Sequence, residues 1–346
     1  MHVQEILTQL CALPGPSGFE GPVAQCAVEL LVPLMDEVYV HRMGSVVGVR
    51  RCGKPNARRL LLDAHLDEVG LIVTGEEEGY LRFRTLGGVD PRMLCDREVT
   101  LLTQPPMFGV VACLPPHVQS AKDMDKSTPI SELYLDVGLS AGQAKKEIPI
   151  GTPVVFRSGG TPLGVDQFCA KALDDRACMV SILRAVELLK DEKLGLDLYI
   201  LFSSREETSS AGAITAMYDI APDMCIAVDV THGYTPDAPK DKVLKMGGGP
   251  AIGVGPNMTR WMSRRLTELA RCKDIPCQLE VMAGHSGTNA WPMQISREGV
   301  ATAVVSLPLK YMHTPVEVID LKDLEWLSQL LAAFAADPGE EERYAF

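Results

Sequence analysis

Residues 196–219, "LDLYILFSSREETSSAGAITAMYD", run from an apolar strand, across two adjacent glutamates, into a helix. "LDLYILFSS" has no alternation of apolar and polar positions, so it reads as a strand buried on both faces. The same texture recurs on either side. Upstream, "RRLLLDAH" reads as a buried strand. Downstream, "DMCIAVDV" and "GVATAVVSLPL" do too. Helical stretches alternate with them: "ALDDRACMVSILRAVELLK", "SAGAITAMYD", "MTRWMSRRLTELARC" and "DLKDLEWLSQLLAAFAAD". Val23, Ala27, Leu30 and Leu34 mark one more amphipathic helix after the "PGPSGFEGP" loop. Apolar strands alternating with helices predict an α/β fold with a largely parallel sheet covered on both faces.

Between Glu68 and Val165 the pattern changes. "VGLIVTG", "YLRFRTLG", "REVTLLT", "FGVVACL", "ELYLDVG" and "TPVVFRS" are short, β-branched or aromatic, and punctuated by turn residues, with no long helical pattern between them. Such spacing suits a small barrel or sandwich. The expected organisation is therefore one α/β/α domain made of residues 1–67 and 166–346, interrupted by a small all-β domain over 68–165. The competing expectation is that these strands extend the main sheet.

With 346 residues, 46% hydrophobic, the chain can bury a large core. Its 33 basic residues against 45 acidic ones give a formal charge of -12. No basic cluster offsets this, which argues against nucleic acid or anionic membrane as partners. No stretch is long and apolar enough to span a bilayer, and the N-terminus has neither the basic flank nor the apolar centre of a secretory signal. Ten scattered cysteines without a CxxC pair predict reduced, mostly buried thiols and a cytoplasmic location. "CKDIPC", Cys272 to Cys277, is the closest spacing and a poor candidate for structural zinc.

Each buried strand is followed, at or just beyond its end, by a side chain able to hold a metal. These are His65 and Asp67, then Glu206 and Glu207, then Asp229, then His313. Asp174 stands at a helix start, where the chain re-enters the core. Open α/β sheets bind ligands beyond the carboxyl ends of their strands, so these groups are expected to converge. Imidazole and carboxylate without thiolate is the donor set of a catalytic site for zinc, cobalt or manganese. Two histidines and three carboxylates suffice for two ions sharing one carboxylate, which together can hold a bridging hydroxide and polarise a carbonyl. In the glutamate pair, Glu207 can ligate while Glu206 remains free to move protons. Each residue also has a plainer reading. His65 can be a hydrogen-bonded core histidine, Asp67 an N-cap, Asp229 a turn cap, and Asp174 and Asp175 acids favoured by a helix dipole. His2, His41 and His117 read as surface residues, whereas His232 and His285 lie near the predicted site loops.

"DAHLDEVG", "KALDDRA", "EET" with "GA", "AVDVTHGYTPD" and "YMHTPVEVIDLKDLE" resemble the signature segments of the glutamyl aminopeptidase family, in order and over nearly the whole chain. The resemblance implies a cytoplasmic metallo-aminopeptidase that removes the N-terminal residue of short peptides. It implies an α/β/α exopeptidase domain whose inserted β domain serves dimer assembly, with dimers building a tetrahedral dodecamer. By the family pattern, His65 and Asp229 hold one ion, Glu207 and His313 hold the other, and Asp174 bridges them. Asp67 orients His65, and Glu206 is the general base. This chain departs from the pattern in "TSSAGA", in Cys178 where glycine is usual, and in Asn289 where aspartate is expected. The last is expected near the substrate end of the site.

Two other activities compete. A carboxypeptidase or deacylase on the same core would want a basic residue for the substrate carboxylate, and none stands beside these motifs. An endoglucanase-type glycoside hydrolase needs two acids and no metal, which leaves His65 and His313 without a purpose. A silent assembly protein would not need the ligands at all.

Overall fold

Strand pairing divides the chain, a computed structural model that describes residues 2–118 and 127–340, into two sheets. β1 (Glu37–Val40), β2 (Val46–Arg50) and β3 (Arg59–His65) lead into β4 (Gly70–Glu77), β5 (Tyr80–Leu86), β6 (Glu98–Leu101), β7 (Met107–Ala112), β8 (Tyr134–Asp136) and β9 (Pro153–Phe156). Then follow β10 (Thr161–Leu163), β11 (Gln167–Ala170), β12 (Asp197–Ser203) and β13 (Met224–His232). The last strands are β14 (Ala251–Val254), β15 (Gln278–Val281), β16 (Ala301–Lys310) and β17 (Glu317–Asp320). The helices are α1 (Val3–Ala12), α2 (Gly21–Leu31), α3 (Ala141–Glu147), α4 (Leu173–Leu188), α5 (Ala211–Ile220), α6 (Arg260–Cys272), α7 (Ala290–Met293) and α8 (Leu321–Ala336).

β4 to β9 close into a barrel in the order β4-β5-β8-β7-β6-β9. Each of the six β-rich runs picked out in the sequence carries one of these strands, and none extends the main sheet. Alternate residues point inward, among them Leu71, Val73, Leu81, Phe83, Val99 and Leu101, and fill the interior as a separate core. A register shift between Val73 and Gly75 bends β4, the kind of bulge that lets so small a sheet close. The chain rejoins the large sheet at β10, which pairs with β11. α3, not anticipated from the sequence, packs beside the barrel behind a Ser140–Gln143 capping box.

The large sheet runs β1-β2-β12-β3-β13-β16-β17-β11-β10, with β14 joined to β16 and β15. The central strands β12, β3, β13 and β16 are mutually parallel, and β14 and β15 form a second, separate parallel pair. The expectation of a largely parallel sheet therefore holds at its centre and fails at its edges. There, short connections such as those between β1 and β2 and between β16 and β17 force antiparallel pairing. The even-numbered residues of β3, Leu60 and Leu62, pack into one layer with α1, α2, α4, α6 and α8. Leu61 faces the other way, with Leu201 and Cys225, against α5 and Met293 of α7. Burial on both faces is why these strands carry no alternation in the sequence.

Candidate active site

β3 ends at His65; its neighbour β12 ends level with it, while β13 on the other side runs on past it. Ser203 of β12 is the register partner of His65, and Ala227 of β13 pairs with Asp63. Two residues on, Asp229 comes abreast of His65. It lies inside β13, with Val230, Thr231 and His232 still to follow, so it is not a turn cap. Asp174 sits at the head of α4 with non-helical backbone angles, ahead of the regular helix. Left-handed φ values at Ala172 (56°), Arg205 (62°), Tyr311 (62°) and His313 (61°) bend the chain immediately around Asp174, the glutamate pair and His313. Such conformations are costly for non-glycine residues and persist where surrounding structure enforces them.

The candidate ligands named from the sequence converge. His65 Nε2 lies 3.1 Å from Asp174 Oδ1, and His313 Nε2 lies 3.2 Å from Asp174 Oδ2. One carboxylate thus presents a separate oxygen to each imidazole. Glu207 Oε1 is 3.3 Å from His313 Nε2, and Glu206 Oε2 is 4.0 Å from His65 Nε2. Asp67 lies directly beneath the glutamate pair. Its Oδ1 accepts the Glu206 N–H at 2.9 Å and its Oδ2 the Glu207 N–H at 3.1 Å. His65 Nδ1 donates to the Asp67 backbone carbonyl at 3.0 Å, closer than the Asp67 carboxylate at 3.5 Å. One buried aspartate thus holds both glutamates at the strand mouth through their backbone amides.

Two sets of ligand-type side chains bring their donor atoms within 4.8 Å of one another: His65 with Asp174 and Glu207, and His65 with Asp175 and Asp229. Asp175, read from sequence only as a helix-start acid, thus joins the cluster. Its Oδ2 accepts the His65 N–H at 2.9 Å, while its Oδ1 is buried without a hydrogen-bond partner. Burial raises the carboxyls of Asp175 and Asp229 well above the ordinary carboxylate range; Asp174 adds to the rise at Asp175, and Asp175 and Asp174 add to it at Asp229. Burial and the Glu207, Asp67 and Asp174 charges push Glu206 up to about 8 against the pull of His65. Burial raises Glu207 too, opposed by His313. Asp174 moves the other way, because hydrogen bonds from both histidines outweigh its burial. Burial opposes protonation of His313, but Asp174 and Glu207 lift it to about 11. So many buried carboxylates around two imidazoles, one with an orphaned oxygen, are a poor arrangement for an apolar or cation-free interior. They suit divalent cations, whose charge compensates the crowding.

Sequence reading missed two supports. Glu317 accepts the His313 N–H at 2.7 Å through Oε1 and the Asp174 N–H at 3.1 Å through Oε2. Glu68 forms a buried cluster with Lys171 (2.7 Å) and Arg176 (3.1 Å), and Arg176 donates to the carbonyls of Leu10, Leu13 and Leu66. Both glutamates lie inside quoted motifs, but their partners are distant in sequence and nothing local announces them.

Other expectations need correction. Asn289 does not face a substrate space: it is 2% exposed and donates to Asp63 Oδ2 at 2.9 Å and Ser203 Oγ at 2.8 Å. Its place is under the sheet tips, because Asp63 is one pleat below His65. Cys178 is fully buried, with its thiol against Asp175. The His41 side chain is only 8% exposed and bonds Asp219 at 2.8 Å, so it is not a free surface group. His285 stacks on Trp291. Cys272 and Cys277 are free, and neither joins a metal-competent group among the described residues.

The sequence pattern of the M42 glutamyl aminopeptidase family matches residues 44–330. A lysyl aminopeptidase of Pyrococcus furiosus is 35% identical over 327 residues, 93% of either chain. Among solved structures, an aminopeptidase from the archaeon Desulfurococcus kamchatkensis superposes with a TM-score of 0.90 at 34% identity, covering 97% of this chain and 94% of its own. The Pyrococcus horikoshii TET1 peptidase, described as assembling into a tetrahedron or a large octahedral shell, superposes with a TM-score of 0.84 at 28% identity, covering 96% and 99%. With the family pattern spanning most of the sequence and the same barrel-bearing α/β fold beneath it, this chain belongs to the M42 glutamyl aminopeptidase family and is a hydrolase, a metallo-aminopeptidase.

Proposed function

We propose that the chain removes the N-terminal residue from short peptides at a centre of two divalent ions, zinc or cobalt in preference to manganese. The carrying observation is Asp174, whose two oxygens face His65 and His313 separately. On this reading His65 and Asp229 hold one ion, Glu207 and His313 hold the other, and Asp174 serves both. Bound ions lower the pKa of water and polarise the scissile carbonyl. Glu206 is the proton carrier: its carboxylate takes the proton of the attacking water and returns it to the leaving amine. Asp67 fixes the spacing between binder and base by holding both backbone amides. Ten free thiols support a reducing, cytoplasmic setting. The assembly of the TET1 peptidase supports a homo-oligomer built from dimers, up to a tetrahedral dodecamer.

The test separates the two glutamates. Zinc titration of the parent is expected to reach two ions per chain. Glu206→Gln is expected to keep both ions and lower kcat on an aminoacyl anilide by about 10²–10⁴-fold, the usual worth of a positioned base. Glu207→Gln is expected to weaken one ion, with rate partly restored by added metal. A parent that binds no ion in metal-replete buffer, or a Glu206→Gln variant that cleaves at the parental rate, overturns the reading.

A further inference from the structure

The geometry points to a second role for the barrel: its loop after β5 is a positioning part of the metal centre proposed above, on which this inference rests. Gly88 O lies 2.8 Å from His313 Nδ1. A carbonyl can only accept, so Nδ1 carries a proton, and Nε2, which lies between Asp174 and Glu207, is the ring nitrogen left to bind an ion in place of its own proton. Gly88 thus selects the tautomer and ring orientation that a metal-binding His313 needs. The loop also approaches too closely for side chains. A Cβ on Gly88 would lie 3.0 Å from His313 Nδ1 and 3.3 Å from its Cε1. One on Gly87, where φ is +80°, would meet Glu207 Oε2 at 3.2 Å. Both contacts fall on residues assigned to the same ion. The loop itself is anchored in the barrel through Val89, which is buried in the barrel core, and is tightened by the Val89 N–H donating to Gly87 O within the loop at 3.2 Å. The inserted module is therefore mechanically joined to one of the two ions.

Zinc calorimetry on the metal-free protein and the visible spectrum of the cobalt-loaded form test this. In Gly88→Ala the ion assigned to Glu207 and His313 is expected to bind about 10–100-fold more weakly, as when an outer support of a ligand is lost. The cobalt bands are expected to shift, and the other ion and the metal-free melting temperature to stay near parental. Val89→Ala loosens the anchor without placing an atom against His313 and is expected to weaken the same ion several-fold. Gly142→Ala, on the open face of α3 beside the barrel, serves as the control and is expected to match the parent in zinc affinity and cobalt spectrum. Parental affinity and spectrum in Gly88→Ala overturn the inference; should that variant not fold, parental affinity in Val89→Ala does so. A parent that binds no zinc sinks the metal reading itself and this inference with it, an outcome visible before any variant is made.

Discussion

Glu317 is 2% exposed, and each of its oxygens accepts a backbone N–H from a different part of the site, His313 on one side and Asp174 on the other. An amide in its place can offer only one acceptor oxygen, so Glu317→Gln leaves one buried N–H facing an NH₂. Such an unsatisfied group costs about 1–3 kcal/mol. Glu317→Gln is therefore expected to lower the melting temperature of the metal-free protein and to weaken zinc binding, measured by scanning calorimetry and titration. Unchanged values in both would show that the two amides need no common acceptor. The candidate ligands were legible one by one, because histidine and carboxylate at the ends of apolar strands are conspicuous. Their supports were not. Glu317, Gly88 and Asp175 act through backbone groups or through neighbours brought close only by folding, and a sequence carries no mark of that. Asn289 misled for the same reason: its motif looked like a site loop, while its side chain turns inward to Asp63.

At the scale of elements, the strands that hold the site were plain in the sequence because burial on both faces makes them continuous apolar runs. β14, β15 and β17 were not. β15 alternates half-buried and exposed positions over four residues, too few to carry a period. α1 was also passed over, and the structure shows what fixes it. Arg176, at the head of α4, is fully buried and donates to the Leu10 and Leu13 carbonyls at the end of α1, while Glu68 compensates its charge. Removing one partner of a buried ion pair costs about 3–5 kcal/mol, because a charge or its dipoles are left uncompensated. Arg176→Met is expected to fall in that range by denaturant unfolding and to raise hydrogen exchange in α1. Lys171→Met leaves Glu68 paired with Arg176 and the α1 carbonyls satisfied, so it is expected to cost less. The reverse order would mean that Lys171, which also donates to the Leu13 carbonyl at 3.2 Å, holds the end of α1 more than Arg176 does.

At the scale of the whole molecule, the barrel closes around its own core, and its place in the chain suggests an excision that tests whether it is a separable module. Leu71 of β4 and Val154 of β9 are hydrogen-bonded register partners, so the two ends of the insertion meet side by side. Its surface carries exposed apolar side chains, Tyr80, Phe108 and Ile150 among them, of the kind that mark association sites when they lie together. Replacing residues 72–153 by a short glycine linker is therefore expected to leave the α/β domain folded and to reduce the number of chains per particle, read from light scattering as particle mass over chain mass. Glu68 is kept in this design, since its loss would strand Lys171 and Arg176 as buried cations. The excision also removes Gly88, so a smaller species with weakened binding of one ion is the expected pair of results. Gly88→Ala, assayed beside it, is expected to lose metal affinity at parental mass. If parent and excised chain scatter alike as monomers, the barrel does not serve self-association. If the excised chain keeps the parental number of chains per particle, the assembling surface belongs to the α/β domain.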